Sequence, residues 1–192
     1  MKKPSMEHDL EQALKILRSG GIILYPTDTI WGIGCDATLE RAVQKILEIK
    51  KRPADKGLII LVDSKEMLLN YIPEIPDYVI PFLSEQEKPT TVIYPKGRGL
   101  APTLFHQDGS VGIRLTFDKF CCHLIHRFGK PLVSTSANYS GSPFPADFSR
   151  INPGLIAKVD YAVSWRRHEM LNAHPSRVIK VTEENKINII RK

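Results

Sequence analysis

Leu10, Ala13, Leu14 and Leu17 recur at helical spacing and stop at Gly20-Gly21, after which Ile22-Ile23-Leu24-Tyr25 is an unbroken apolar run halted by Pro26. This pattern predicts a helix feeding a buried strand. A second apolar face, Leu39, Val43, Ile46 and Leu47, follows Thr38, a residue type that caps helices, and runs into Lys50-Lys51-Arg52 before Pro53 ends it. Leu58-Ile59-Ile60-Leu61-Val62 then reads as a strand buried on both faces.

Further along, short helices are predicted after Ser64 and Pro76, and strands over 91–94 and 111–115. Between those strands lies the Gly/Pro-rich segment 95–110, the expected mobile loop. Asp118 is placed to cap a helix ending at Gly129, followed by a strand over 131–134 and a Pro/Ser/Gly-rich stretch over 139–153. Late strands over 159–164, 176–181 and 187–191 come without a long helix between them. That predicts antiparallel pairing at this end and hence a mixed sheet.

With 192 residues of which 42% are hydrophobic, the chain suits one well-buried core, so a single domain spanning 1–192 is expected. The formal charge of +6 suits a polyanionic partner such as a nucleotide or RNA without requiring one. Glu7, Asp9 and Glu11 interrupt what would be the apolar segment of a signal peptide, and no apolar run approaches the roughly 18 residues that span a bilayer. A soluble, cytoplasmic protein with no membrane partner is therefore expected. The cysteines, Cys35, Cys121 and Cys122, are odd in number with two adjacent, a pattern that predicts reduced thiols.

Two distant stretches carry candidate chemistry. Lys50-Lys51-Arg52-Pro53-Ala54-Asp55-Lys56 gathers four cations where a helix gives way to a strand, a composition that grips a triphosphate but also one that balances a helix dipole. Ser134-Thr135-Ser136-Ala137-Asn138 offers hydroxyls and an amide at a strand's end, as a ligand-orienting turn or an ordinary one would. No serine stands in G-x-S-x-G, which argues against that hydrolase signature. Gly32-Ile33-Gly34-Cys35-Asp36 lacks the third glycine of a dinucleotide fingerprint and the Gly-Lys-Ser/Thr end of a Walker loop, so tight backbone packing accounts for it better. Cys121-Cys122-His123 with His126 cannot aim every side chain at one ion from a single helix, and no metal site is expected.

In this setting the chain resembles the YrdC/TsaC family of threonylcarbamoyl-AMP synthases over nearly its whole length. The family's Y-P-T-[DE]-T-x-[WYF]-G-[IL]-G pattern matches residues 25–34, its K-x-R-P turn matches 50–53, and its S-x-N element matches 136–138. Val111-Gly112-Ile113-Arg114, Gly129-Lys130-Pro131-Leu132 and the late Pro175-Ser176-x-Val178-Ile179 also fit. The resemblance implies an α/β fold, a twisted mixed parallel/antiparallel sheet with surrounding helices and a large basic concave cleft. It implies joining L-threonine, bicarbonate and ATP, with Mg²⁺, into L-threonylcarbamoyl-AMP and pyrophosphate. A downstream threonylcarbamoyl transferase complex would pass that group to the adenosine beside the anticodon of tRNA.

Carried over by position, the resemblance implies ATP contacts from Lys50, Arg52, Lys56, Ser110, Asn138 and Arg191, with Lys50 and Arg52 stabilising charge in the reaction. It implies L-threonine contacts from Thr29, Arg114, Ser136 and Ser176, Arg114 being suited to a carboxylate by its bidentate geometry. No residue is expected to act as a covalent nucleophile. The chain departs from the family pattern at Arg177 and Lys180, at Ala146, and at Leu61, where some relatives carry histidine. These departures motivate an alternative, a non-catalytic module binding tRNA or other double-stranded RNA. A third reading is a paralogue that adenylates a related carbamoyl compound.

Overall fold

The computed structural model describes residues 5–52, 57–85, 88–169, 174–182 and 186–192. The first apolar stripe forms helix α1 (Met6–Arg18), which buries Leu10, Ala13, Leu14 and Leu17. Full burial of a leucine is worth about 1.5–3 kcal/mol relative to leaving it exposed, so this stripe is what commits the helix to the core. The chain then enters β1 (Ile23–Tyr25), turns, and returns as β2 (Gly32–Gly34) antiparallel to it. Helix α2 (Glu40–Lys50), β3 (Ile59–Val62), α3 (Lys65–Tyr71), α4 (Val79–Ser84), β4 (Thr90–Tyr94) and β5 (Val111–Leu115) follow. The remaining elements are α5 (Lys119–Phe128), β6 (Leu132–Ser136), α6 (Pro153–Ile156), β7 (Tyr161–Ala162), β8 (Arg177–Val181) and β9 (Ile187–Arg191).

Among the described residues, nine strands lie in one sheet in the order β7-β1-β2-β6-β3-β5-β4-β8-β9. The sheet is mixed: β1/β7, β3/β5 and β4/β8 are parallel and the other neighbouring pairs antiparallel. The late strands depart from the antiparallel expectation, because β7 joins one edge parallel to β1 while β8 joins the other side parallel to β4. Only the β8/β9 hairpin is antiparallel there. Consecutive strands without a helix between them can still be sent to opposite edges, which composition does not reveal.

Two helix starts follow their expected local cap and a third does not. Asp118 accepts from the Cys121 amide at 3.0 Å to start α5, and Gly129 ends it with φ 73°, a left-handed conformation glycine adopts without strain. Ser64 likewise accepts from Met67 N at 3.2 Å to start α3. Thr38, expected to cap α2, instead donates its hydroxyl to Asp36 Oδ1 at 2.6 Å, and α2 begins at Glu40 without a side-chain cap. The segment 95–110 is tied back to α2: Thr103 N donates to Glu40 Oε2 at 3.1 Å and Ala101 N to Ala37 O at 2.9 Å.

Glycine in β2 is a packing requirement. A Cβ on Gly34 would lie 2.3 Å from Val133 O and 2.7 Å from the Tyr25 ring, so β2 can approach β6 only without a side chain there. Among the described residues, no helix is long and apolar enough to cross a membrane.

Candidate functional site

On the sheet face carrying Gly32, Ile59 and Arg114 lies a cavity of about 180 Å³. Its floor comes from adjacent strands: Gly32 of β2 is in register with Ser136 of β6, and Ser134 of β6 with Ile59 of β3. Ser134 and Ser136 share a face because strand side chains alternate. Small residues at Gly32, Ser134 and Ser136 leave the hollow that larger ones would fill.

One wall is the turn after β1. Thr27 Oγ1 accepts from Thr29 N at 3.0 Å and Ile30 N at 3.2 Å, and donates to Ile30 O at 2.7 Å. With its single proton committed there, the 2.9 Å contact between Thr27 and Thr29 hydroxyls is made by Thr29 as donor. Thr29 Oγ1 is thereby left with acceptor capacity at the cavity, suited to an amine N–H.

The lining is also cationic. Arg52, Arg114 and Arg191 all line the cavity, and no carboxylate does among the described residues. Arg191 Nε and Nη2 both donate to Ser176 O, at 3.0 and 2.7 Å, and the Ser176 hydroxyl meets Thr91 Oγ1 at 2.8 Å. Burial lowers the Arg191 pKa from its ordinary value, and the neighbouring Arg114 charge lowers it further. Arg52 Nη2 donates to Gly57 O at 2.9 Å. Phe144, 44% exposed, forms part of the rim.

Thus Thr29, Arg52, Arg114, Ser136, Ser176 and Arg191, spread over most of the chain, meet at one cavity. The other candidates lie elsewhere. Lys50, expected at an exposed helix end, is 1% exposed. Its ammonium donates to Ser136 O, to Asn138 O at 2.7 Å and to Asn138 Oδ1 at 3.4 Å, beneath the serine-asparagine turn. Burial, with the nearby Arg52 charge as the lesser cause, pushes its pKa down to about 7. Asn138 is buried and spends its side chain internally, accepting from Ser136 Oγ at 2.5 Å and donating to Ser142 O.

Ser110 opens onto a second cavity, shared with His106, Asp108 and Lys180, where its hydroxyl donates to Asp108 Oδ1 at 2.5 Å. The His106 ring of that cavity packs against Gly57, which lines the first, so the two spaces adjoin. Lys180, one of the departures from the family pattern, pairs there with Asp108 at 2.7 Å, away from the first cavity. Leu61 is fully buried in register with Arg114. Lys56 lies outside the described residues.

Sequence reasoning quoted Thr27, Asp28 and Ser134 only within longer stretches, with no role of their own, and passed over Phe144. The first two stand inside the quoted 25–34 motif, and Ser134 is two residues before Ser136, so alternation was the available signal for it. Phe144 sits in the Pro/Ser/Gly-rich stretch with nothing periodic to mark it.

Comparison with known proteins gives a consistent result. Threonylcarbamoyl-AMP synthase of Xanthomonas campestris pv. campestris (strain B100) is 34% identical over 155 residues, 79% of this chain and 83% of that protein. The Vibrio campbellii (strain ATCC BAA-1116) protein of the same name is 38% identical over 138 residues, 70% of this chain and 75% of its own. Among solved structures, P. abyssi Sua5 complexed with L-threonine superposes with a TM-score of 0.85 at 28% identity. That match covers 95% of this chain and 53% of Sua5, so the chain spans about half the length of that relative. The Sua5/YciO/YrdC family model, described as "Telomere recombination", matches residues 15–192. By fold, by identity to these relatives and by this match, the chain belongs to the Sua5/YciO/YrdC family.

Proposed function

We propose that the chain synthesises L-threonylcarbamoyl-AMP from L-threonine, bicarbonate and ATP, releasing pyrophosphate. The observation that carries this reading is the meeting of Arg52, Arg191 and Arg114 with Thr29, Ser136 and Ser176 at one cavity. Names of the curated relatives and the L-threonine in the Sua5 complex support the same assignment.

In this reading the Arg114 guanidinium takes the threonine carboxylate as a fork and Thr29 Oγ1 accepts from its amine. The amine adds to the bicarbonate carbon and water leaves, giving an N-carboxylate. One oxygen of that carboxylate then attacks the α-phosphorus, and the bond to the bridging oxygen of pyrophosphate breaks. Arg52 and Arg191 hold the phosphates and offset charge as it moves to the leaving group. Since no side chain forms a bond to the substrates, the rate gain comes from positioning and electrostatics.

Mg²⁺ belongs to the substrate MgATP. The described residues contain no cluster of three or more His, Cys, Asp or Glu side chains able to hold a metal. With no lining carboxylate either, the ion would keep phosphate oxygens and water as ligands. The product would serve, in the cytoplasm, a transferase complex that modifies tRNA beside the anticodon.

The test is pyrophosphate release from ATP by the purified protein with Mg²⁺, expected only when L-threonine and bicarbonate are both present. No release with all substrates supplied overturns the assignment. Replacing threonine by other amino acids in the same assay separates it from a paralogue with a different acceptor. The RNA-binding alternative gains nothing from Lys180, whose partner is Asp108 outside the cavity.

A further inference from the structure

Arg114 is 3% exposed yet lines the cavity. Nη1 donates to Asp28 Oδ1 at 2.8 Å. Asp28 does not line the cavity; it borders a neighbouring recess with Leu83, Lys88 and Phe117. Nε, by contrast, is buried and has no hydrogen-bond partner. In a guanidinium, Nε and Nη2 share one edge and present two parallel N–H groups, while Nη1 points away from that edge. The aspartate has therefore taken the one terminal nitrogen whose capture leaves the two-donor edge whole.

We propose that Asp28 is the positioning residue of the amino-acid subsite, gripping Arg114 Nη1 from outside the cavity so that the Nε–Nη2 edge meets the substrate α-carboxylate. This rests on the reading of Arg114 as carboxylate ligand given above. A buried, unmet Nε–H is what such an edge looks like before its ligand arrives, since buried charged donors are otherwise paired. Asp28 also supplies the counter-charge that lets Arg114 stay buried near Arg191, with Arg191 itself held by Ser176. An aspartate that bound the substrate amine directly would line the cavity, and this one borders the recess instead.

The role predicts a particular pattern of loss. In Asp28→Ala, KM for L-threonine rises about 10-fold or more while KM for ATP changes less than about 2-fold, because misaiming the fork affects one substrate. Asp28→Asn keeps an acceptor oxygen for Nη1 and recovers part of the loss. L-Threoninamide, which has no carboxylate, binds Asp28→Ala and the unaltered protein alike in calorimetry, whereas L-threonine distinguishes them. Circular dichroism melts accompany each variant.

A purely structural role would lower the melting temperature and move both KM values together, and that result overturns the proposal. So does an unchanged dissociation constant for L-threonine in a folded Asp28→Ala. If the unaltered protein binds L-threonine but releases no pyrophosphate, the synthase reading fails while the calorimetric comparison still decides the role of Asp28. If it binds no L-threonine at all, both fall.

Discussion

At the scale of single residues, Lys50 shows how a side chain suited to a phosphate becomes part of the scaffold. Its ammonium faces the oxygens Ser136 O, Asn138 O and Asn138 Oδ1, and a protonated amine has three N–H groups where a neutral one has two. Replacing it with methionine keeps the stem but leaves those oxygens unmet. Lys50→Met is expected to cost about 1–3 kcal/mol in denaturant unfolding, whereas Arg52→Ala, at a partly exposed position, is expected to lose turnover with a smaller loss of stability. Equal losses of stability would show that both are scaffold. Titration adds a second expectation. Unfolded lysine titrates near 10.4, and Lys50 in the fold at about 7, so between these values the unfolded chain binds more protons. This group therefore makes folding more favourable as pH rises from 7 toward 10, and contributes no further pH dependence below 7. Phosphate arriving at Arg52 cancels part of the neighbouring charge that lowers the Lys50 pKa, raising it. ATP binding near pH 7.5 should thus take up a fraction of a proton, seen as a dependence of the calorimetric enthalpy on buffer ionisation and abolished in Lys50→Met. The sequence held a clue to this burial: Val43, Ile46 and Lys50 fall at i, i+3 and i+7, on one helix face. Its charge argued for solvent, and only the polar turn packed over α2 supplies the oxygens that reverse that argument.

Among elements, those with both a periodic core and a chemical cap were the legible ones. Helix α5 carries buried Phe120, Cys121, Leu124 and Ile125 between Asp118 and Gly129, so its ends and its face were written locally. Strands β2 and β7 were not legible as strands of their observed extent, because three residues of Gly-Ile-Gly show no usable period and two residues of β7 show none. What makes β2 a strand is its position between β1 and β6, set by partners remote in sequence. Two glycine substitutions separate such tertiary demands from local ones. Gly129→Ala meets no atom within 4 Å and pays only for its left-handed φ of 73°, about 1–2 kcal/mol. Gly34→Ala drives a methyl into the Val133 carbonyl and the Tyr25 ring, a backbone collision that overpacking values of about 1–3 kcal/mol understate. Denaturant midpoints should therefore fall further for Gly34→Ala. Turnover should fall with it and stay near the unaltered level in Gly129→Ala, since β2 carries the cavity floor and the end of α5 does not line it.

For the molecule as a whole, the sheet order turns six separated residues into one cavity, and its charge is distributed unevenly between the two substrates. Arg52 and Ser136 stood in stretches whose composition already suggested chemistry, but only a family pattern joined them to Thr29 and Arg191; no local period relates a turn after β1 to the end of β9. Ser110, joined to them by the same pattern, lines the adjoining cavity, where His106 packs on Gly57 through the meeting of two loops. Within the first cavity, Arg114 is matched by Asp28 in an ion pair, whereas Arg191 hydrogen-bonds the Ser176 carbonyl and, among the described residues, pairs with no carboxylate. In the proposed reading L-threonine, which carries no net charge at neutral pH, meets the neutralised pair, and ATP, which carries several negative charges, meets Arg191 and Arg52. Added salt screens interactions between net charges over about 10 Å at 0.1 M and 3 Å at 1 M, and affects matched close pairs far less. Raising KCl from about 0.05 to 0.5 M should accordingly weaken ATP binding several-fold and leave L-threonine binding within about 2-fold. Arg191→Gln should flatten the salt dependence for ATP and leave that for threonine as it was. Equal salt sensitivity for the two ligands would mean that the cationic walls act on both substrates together, and the division of labour between Arg114 and the Arg52–Arg191 pair would be wrong.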